Sequence, residues 1–371
     1  MIGTESVWKN EELAVFRLRS LYRARGYSPY QMSKFEEYDL YARNKHFLVS
    51  EQIITFTDTN GKLMALKPDV TLSIIKNTKD ADGVQKLYYD ENVYRVSKGT
   101  KAFGELTQAG LECIGDVDDF CICEVLSLAA ESLEQISEDY VLDISDLGLL
   151  APILKGLGIS EEAEAELLQC IAEKNAHGIT EIAAREKAAP GALAKLRALL
   201  ATGGRLDEAI DALRRLLPEC AEQIERLSRI SEALGEGRAA RVHLDFSVVN
   251  DMSYYNGIVF KGFINGVPAG VLSGGQYDGM MQKMGRNAKA IGFAVYLDLL
   301  ERFGAQNAEY DVDVALLYDD GCDPVQLCRI ARDMTKENKR VTVLKSLPVD
   351  LKYRQLCVLQ NGEVKVLEAN A

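Results

Sequence analysis

The residues best suited to chemistry lie in a few short segments. Leu66-Lys67-Pro68-Asp69-Val70-Thr71 and Gln108-Ala109-Gly110-Leu111-Glu112 supply two carboxylates, an amide and a hydroxyl. Met252-Ser253-Tyr254-Tyr255-Asn256-Gly257 and Ser273-Gly274-Gly275-Gln276-Tyr277-Asp278 supply three tyrosines, and Tyr94-Arg95-Val96-Ser97 adds a guanidinium. A carboxylate facing an ammonium makes a charge-assisted hydrogen bond about twice as strong as a neutral one. Tyrosine offers a flat apolar wall with a polar tip. Taken one at a time, each tyrosine reads as core filling and Glu112 as a solvated strand residue; only the set, in its order, points to a pocket.

Other chemistries find little support. His46, His177 and His243 are scattered, and Cys121-Ile122-Cys123 lacks the paired spacing of a zinc site. The eight cysteines read as reduced thiols of a cytoplasmic protein. Ser273-Gly274-Gly275 is followed by no Gly-Lys-Ser/Thr and reads as a tight turn beside the pocket rather than a phosphate loop. No metal and no cofactor is expected. The net charge of -13 over 371 residues opposes binding of a long polyanion. No stretch approaches the roughly 20 apolar residues of a membrane helix, and the N-terminus carries no apolar signal run.

The elements that must position these groups can be read from spacing. Apolar residues at helical intervals predict a helix from about Asn10 to Arg25, ended at Gly26. Strands at Ile53–Thr57 and Lys62–Leu66 flank Asn60-Gly61, a hairpin signal, and a helix follows from about Val70 to Asn77. A second hairpin runs from Lys86 to Val96 and returns from Glu105 to Gly115; a helix over Cys121–Gln135 and a strand over Tyr140–Ile144 come next. From about 160 to 238, alanine, leucine and glutamate dominate, which predicts an all-helical insertion. Strand chemistry returns at Arg241–Phe246, Gly257–Phe263 and Ala269–Leu272, and a long helix is expected from about Ala290 to Phe303. Residues 309–371 read as a separate small α/β module, with strands at Val312–Leu317 and Arg340–Leu344, a helix from Pro324 to Glu337, and two short strands about Asn361-Gly362. The fold class is α+β: an antiparallel sheet flanked by helices, with a helical insertion and a small C-terminal module.

These motifs, in this order, resemble the class II aminoacyl-tRNA synthetase core, specifically its histidyl branch, over about residues 5 to 305. The resemblance implies one domain over 1–305 and a reduced anticodon-binding-like module over 309–371. It implies that Asp69, Thr71 and Gln108 receive an amino acid's α-ammonium, that Glu112 faces the imidazole side, and that Tyr254, Tyr255 and Tyr277 complete a histidine pocket. Arg95 matches the arginine of the family's second motif and is counted with these residues in the regulatory pocket.

The activation chemistry of that family is mostly missing. Adenylate formation brings a carboxylate to an α-phosphate, and guanidinium forks offset the repulsion. Here Leu299 stands where the third-motif arginine is expected, and Asn250 where the arginine preceding the tyrosine pair is expected. Ser97 and Gly104 replace a glutamate and a further arginine, and the motif-one proline is replaced near Ser33. Losing one preorganised charge-stabilising donor costs about 10² to 10³ in rate.

A kept pocket, lost arginines and a shortened tail together resemble the family of ATP phosphoribosyltransferase regulatory subunits, paralogues of histidyl-tRNA synthetase. That resemblance implies a non-catalytic subunit that activates a short-form catalytic subunit and relays feedback by L-histidine. It also implies self-dimerisation, with neither nucleic acid nor membrane as partner. An active histidyl-tRNA synthetase with an altered site and a stand-alone histidine-binding paralogue are the competing readings.

Overall fold

The computed structural model describes residues 9–44, 53–79, 82–96, 101–248, 255–300, 310–336, 339–360 and 362–370. The chain divides into two units, residues 14–300 and residues 1–13 with 301–371.

In chain order the first part runs α1 (Asn10–Ala24), β1 (Ser28–Pro29), β2 (Phe35–Glu37), α2 (Tyr38–Arg43), β3 (Thr55–Thr57), β4 (Leu63–Leu66), α3 (Thr71–Asn77), β5 (Val84–Val96) and β6 (Phe103–Gly115). Then come α4 (Asp119–Ile136), β7 (Tyr140–Asp146), α5 (Leu147–Leu157), α6 (Glu161–Ala172), α7 (Ala176–Arg185), α8 (Pro190–Ala201), β8 (Gly204–Arg205), α9 (Leu206–Leu216) and α10 (Ala221–Ala239). The large unit closes with β9 (Val242–Leu244), β10 (Ile258–Ile264), β11 (Leu272–Gln276), α11 (Asp278–Lys283) and β12 (Lys289–Tyr296).

Nine of these strands form one sheet in the order β1-β5-β6-β12-β11-β10-β7-β9-β8. Its centre is antiparallel, as expected, but β1 pairs with β5 and β7 with β9 in parallel. Parallel neighbours need a crossover, and the helices α5–α10 are the crossover from β7 to β9. The insertion is therefore helical but carries one short strand, β8, which pairs back on β9.

One sheet face is a packed core. Phe260, Gly274, Phe293, Leu111 and Tyr88 form a row across five strands. Tyr22 of α1 crosses that row, its ring 6.1 Å from Phe293 and its hydroxyl 3.0 Å from Ser132 of α4. The opposite face carries the functional groups, with α3 and α11 packed beside them through Leu72, Ile75, Met280 and Met281.

Three expectations fail here. The apolar run Ala290-Ile291-Gly292-Phe293-Ala294-Val295 is strand β12 rather than a helix. It lies at the sheet centre, buried on both faces, where a strand reads as a continuous apolar run and period cannot tell it from a buried helix. Ser273-Gly274-Gly275 is the middle of strand β11, not a turn. A side chain at Gly274 would sit 2.4 Å from the Gly292 carbonyl and 2.6 Å from the Phe260 ring, so glycine there is demanded by packing. The strand expected over Ala269–Leu272 consequently begins at Leu272. The helix α5, disguised by its internal Pro152, starts on an Asp146 cap that accepts the Gly148 amide at 2.8 Å.

The smaller unit contains β13 (Val312–Leu317), α12 (Pro324–Lys336), β14 (Val341–Leu344), β15 (Tyr353–Gln360) and β16 (Glu363–Ala369). Its sheet order is β14-β13-β15-β16, with a core of Val314, Leu316, Leu327, Cys357 and Leu359. Among the described residues no helix is long and apolar enough to cross a membrane.

Candidate functional site

The site is a cleft of about 510 Å³ on the functional face of the large sheet. Strand alternation sends Gln108, Gly110 and Glu112 of β6 to the same face. Across β6, Glu112 lies opposite Gly292 of β12. The structure brings Asp69, Thr71, Arg95, Gln108, Glu112, Tyr255 and Tyr277 together along this one cleft. Tyr254, Asn250 and Ser97 lie outside the described residues.

Glu112 is the centre of the arrangement. It is 2% exposed. Tyr277 donates its hydroxyl to one carboxylate oxygen at 2.6 Å, and Thr71 donates to the other at 2.8 Å. Burial pushes the Glu112 carboxyl up to about 8; the Tyr277 and Thr71 bonds pull it down, and nearby Asp69 adds to the rise. Thr71, expected at the ammonium end, spends its hydroxyl proton on Glu112 and keeps its oxygen lone pairs for an N–H donor.

Asp69 sits at the start of α3 and accepts the Leu72 amide at 2.9 Å. Burial raises its carboxyl above the ordinary range, against the Leu72 amide and the Arg95 guanidinium. Arg95 in turn donates its Nε to the Pro68 carbonyl at 2.9 Å. Burial disfavours both carboxyls as anions, and a cation brought beside either one would favour its ionised form again.

Several contributors were not visible as such in the sequence. Lys67 is 0% exposed and forms an ion pair with Glu91, while its carbonyl accepts the Tyr94 amide at 2.9 Å. That pair pins the segment that carries Asp69 to β5. Gly292 is the second. A side chain there would place its first carbon 1.7 Å from Glu112 Oε2, so only glycine lets the carboxylate lie flat against β12. Gly275 and Gly110 make similar room for Tyr255 and Tyr89. A glycine in the middle of a strand signals close approach, but the residue it makes room for is set by register.

A mostly antiparallel sheet with flanking helices and a carboxylate-and-tyrosine pocket on one face defines a class II aminoacyl-tRNA synthetase core. The family model for histidyl-tRNA synthetase matches residues 4–300, and the chain belongs to that family. It is similar to proteins named ATP phosphoribosyltransferase regulatory subunit. The one from Acetivibrio thermocellus is 26% identical over 81% of this chain and 75% of its own length. One from Bacillus cereus is 27% identical over 82% and 75% respectively. Among solved structures, an ATP phosphoribosyltransferase regulatory subunit/histidyl-tRNA synthetase from Bacillus halodurans superposes with a TM-score of 0.72 at 25% identity, covering 92% of this chain and 90% of that one. A chain of an ATP phosphoribosyl transferase complex from Thermotoga maritima shares the fold, with a TM-score of 0.59 at 21% identity over 76% of this chain and 96% of that one. The resemblance read from the motifs is borne out.

Proposed function

We propose that this chain is a non-catalytic regulatory subunit of ATP phosphoribosyltransferase. In this reading it activates a short-form catalytic subunit and relays feedback inhibition by L-histidine in the first step of histidine biosynthesis. What supports it is a pocket built around a buried, hydrogen-bonded carboxylate beside activation chemistry that is mostly missing. Glu112 is held by Tyr277 and Thr71, while Leu299 follows β12 where an arginine would be required. The printed names of the curated relatives support the same reading.

The pocket supports histidine as the effector on chemical grounds. Glu112 offers an acceptor to an imidazole N–H, Asp69 and Gln108 face the ammonium, and Tyr255 and Tyr277 give flat walls. Histidine then acts by favouring one arrangement of the assembly, and its differential affinity limits the effect to about 1–3 kcal/mol. The reading includes a cytoplasmic, self-dimerising protein whose residues 309–371 form an anticodon-binding-like module.

The test is phosphoribosyl-ATP formation by a short-form catalytic subunit, with and without this chain, across a histidine titration. Activation that histidine reverses, and that Glu112→Ala makes insensitive to histidine while the complex still assembles, is the expected outcome. No effect on the catalytic subunit would sink the proposal. The retained Arg95 favours a second reading, an altered synthetase, and turnover in a tRNA-charging assay would establish it instead.

A further inference from the structure

An amino acid carries a carboxylate as well as an ammonium, and the cleft needs a cation to meet it. Among the described residues, two cationic side chains line the cleft, Arg95 and Lys261. Arg95 lies at the end that holds Asp69, its Nε given to the Pro68 carbonyl. Lys261, on β10, lies at the other end.

The sheet register puts Lys261 opposite Ser273, Ser273 opposite Ala294, and Ala294 opposite Gly110. Lys261 and Gly110 therefore end one row on the cleft floor, three strand spacings or about 14 Å apart. Glu112 is two residues further along the Gly110 strand. The Glu112 carboxylate is held by Tyr277 and Thr71, while Lys261 leans along β10 over Phe263, and both side chains line the same cleft.

Among the described residues Lys261 makes no close ion pair, and the local packing gives its stem room, since a side chain at Gly270 would meet Lys261 Cε at 2.3 Å. Its ammonium rests 5.6 Å from the centre of the Phe263 ring, over the edge of the cleft. The acids of the neighbouring strands have other partners. Asp143, its cross-strand neighbour, lies 3.8 Å from His243, and Asp245 is held by Lys174 at 2.7 Å. Burial raises the Asp143 carboxyl, and the nearby Lys261 charge is one of those that oppose that rise.

We propose that Lys261 receives the α-carboxylate of the amino-acid effector and so selects amino acids over decarboxylated amines. The assignment rests on the pocket reading given above, and it gives the carboxylate a partner although position 250 is asparagine.

The test is calorimetric titration of the full-length chain with L-histidine and with histamine, which keeps the imidazole and the amine but lacks the carboxylate. Wild type is expected to prefer L-histidine by about 10- to 100-fold, the range of one hydrogen bond to a charged group. Lys261→Met should abolish that preference by weakening L-histidine alone, and Lys261→Arg should restore most of it. A Lys261→Met chain that binds both probes as wild type does, or loses both equally, overturns the assignment while leaving the pocket intact. Failure of the wild-type chain to bind L-histidine would overturn the pocket reading and this assignment with it.

Discussion

Gly292→Ala is the sharpest perturbation of the pocket, because it adds one carbon at the place where two strands and a carboxylate meet. The added carbon would stand 1.7 Å from Glu112 Oε2 and 2.5 Å from the Leu111 carbonyl oxygen. The carbonyl belongs to the β6 backbone in the sheet centre and cannot retreat without breaking the ladder, so the carboxylate must swing away. Doing so gives up the 2.6 Å bond from Tyr277 and the 2.8 Å bond from Thr71. Overpacking a tight site and losing bonds to a buried carboxyl together cost about 2–5 kcal/mol of stability. A misplaced Glu112 should also weaken L-histidine by roughly a hundredfold, about 2.8 kcal/mol. Urea unfolding and calorimetry read the two effects separately. Gly279→Ala is the control: no atom outside its own helix lies within 4 Å of a carbon added there, so it should be neutral or stabilise α11 by up to about 1 kcal/mol. A Gly292→Ala chain as stable as wild type, with unchanged affinity, would refute the close-approach reasoning.

Two further outcomes follow from the same geometry. Glu112 is raised from 4.5 to about 8 in the fold, so between those values the folded chain holds a proton that the unfolded chain has lost. Its contribution to stability is full below about 4.5 and is lost as pH rises through about 8, with a slope of up to about 1.4 kcal/mol per pH unit. Glu112→Gln should flatten the wild-type decline in urea midpoint between pH 5 and 9, and parallel curves for the two chains would contradict the burial argument. Lys67→Met should cost about 3–5 kcal/mol by stranding Glu91, which is only 16% exposed at its side chain. Adding Glu91→Leu should recover much of that loss in thermal unfolding; no recovery would mean that Lys67 acts through packing alone.

Much of the scaffold was legible in the sequence because local rules suffice for it. The helix from Asn10, the Asn60-Gly61 hairpin, the long β5–β6 ribbon, the insertion and the small α/β unit all announce themselves by spacing, turn residues or composition over a few neighbouring positions. The misread segments were those whose neighbours are distant. The run from Ala290 is a strand only because β6 and β11 flank it, and Gly274 and Gly275 of β11 are compact interior positions only because Phe260 and Phe293 crowd the first and Tyr255 the second.

The site divides along the same line. The sequence alone determined which side chains are present and in what order: the acids at 69 and 112, the tyrosines, and Asn250 and Leu299 where the resemblance leads one to expect arginine. It could not determine that Tyr277 reaches Glu112 across 165 residues, that Gly292 is the floor beneath that carboxylate, or that a fully buried Lys67 pins the loop carrying Asp69. Those relations depend on strand register. Register is set by burying one face of each strand against the rest of the fold, and a shift of one residue would turn every one of these groups to the opposite side.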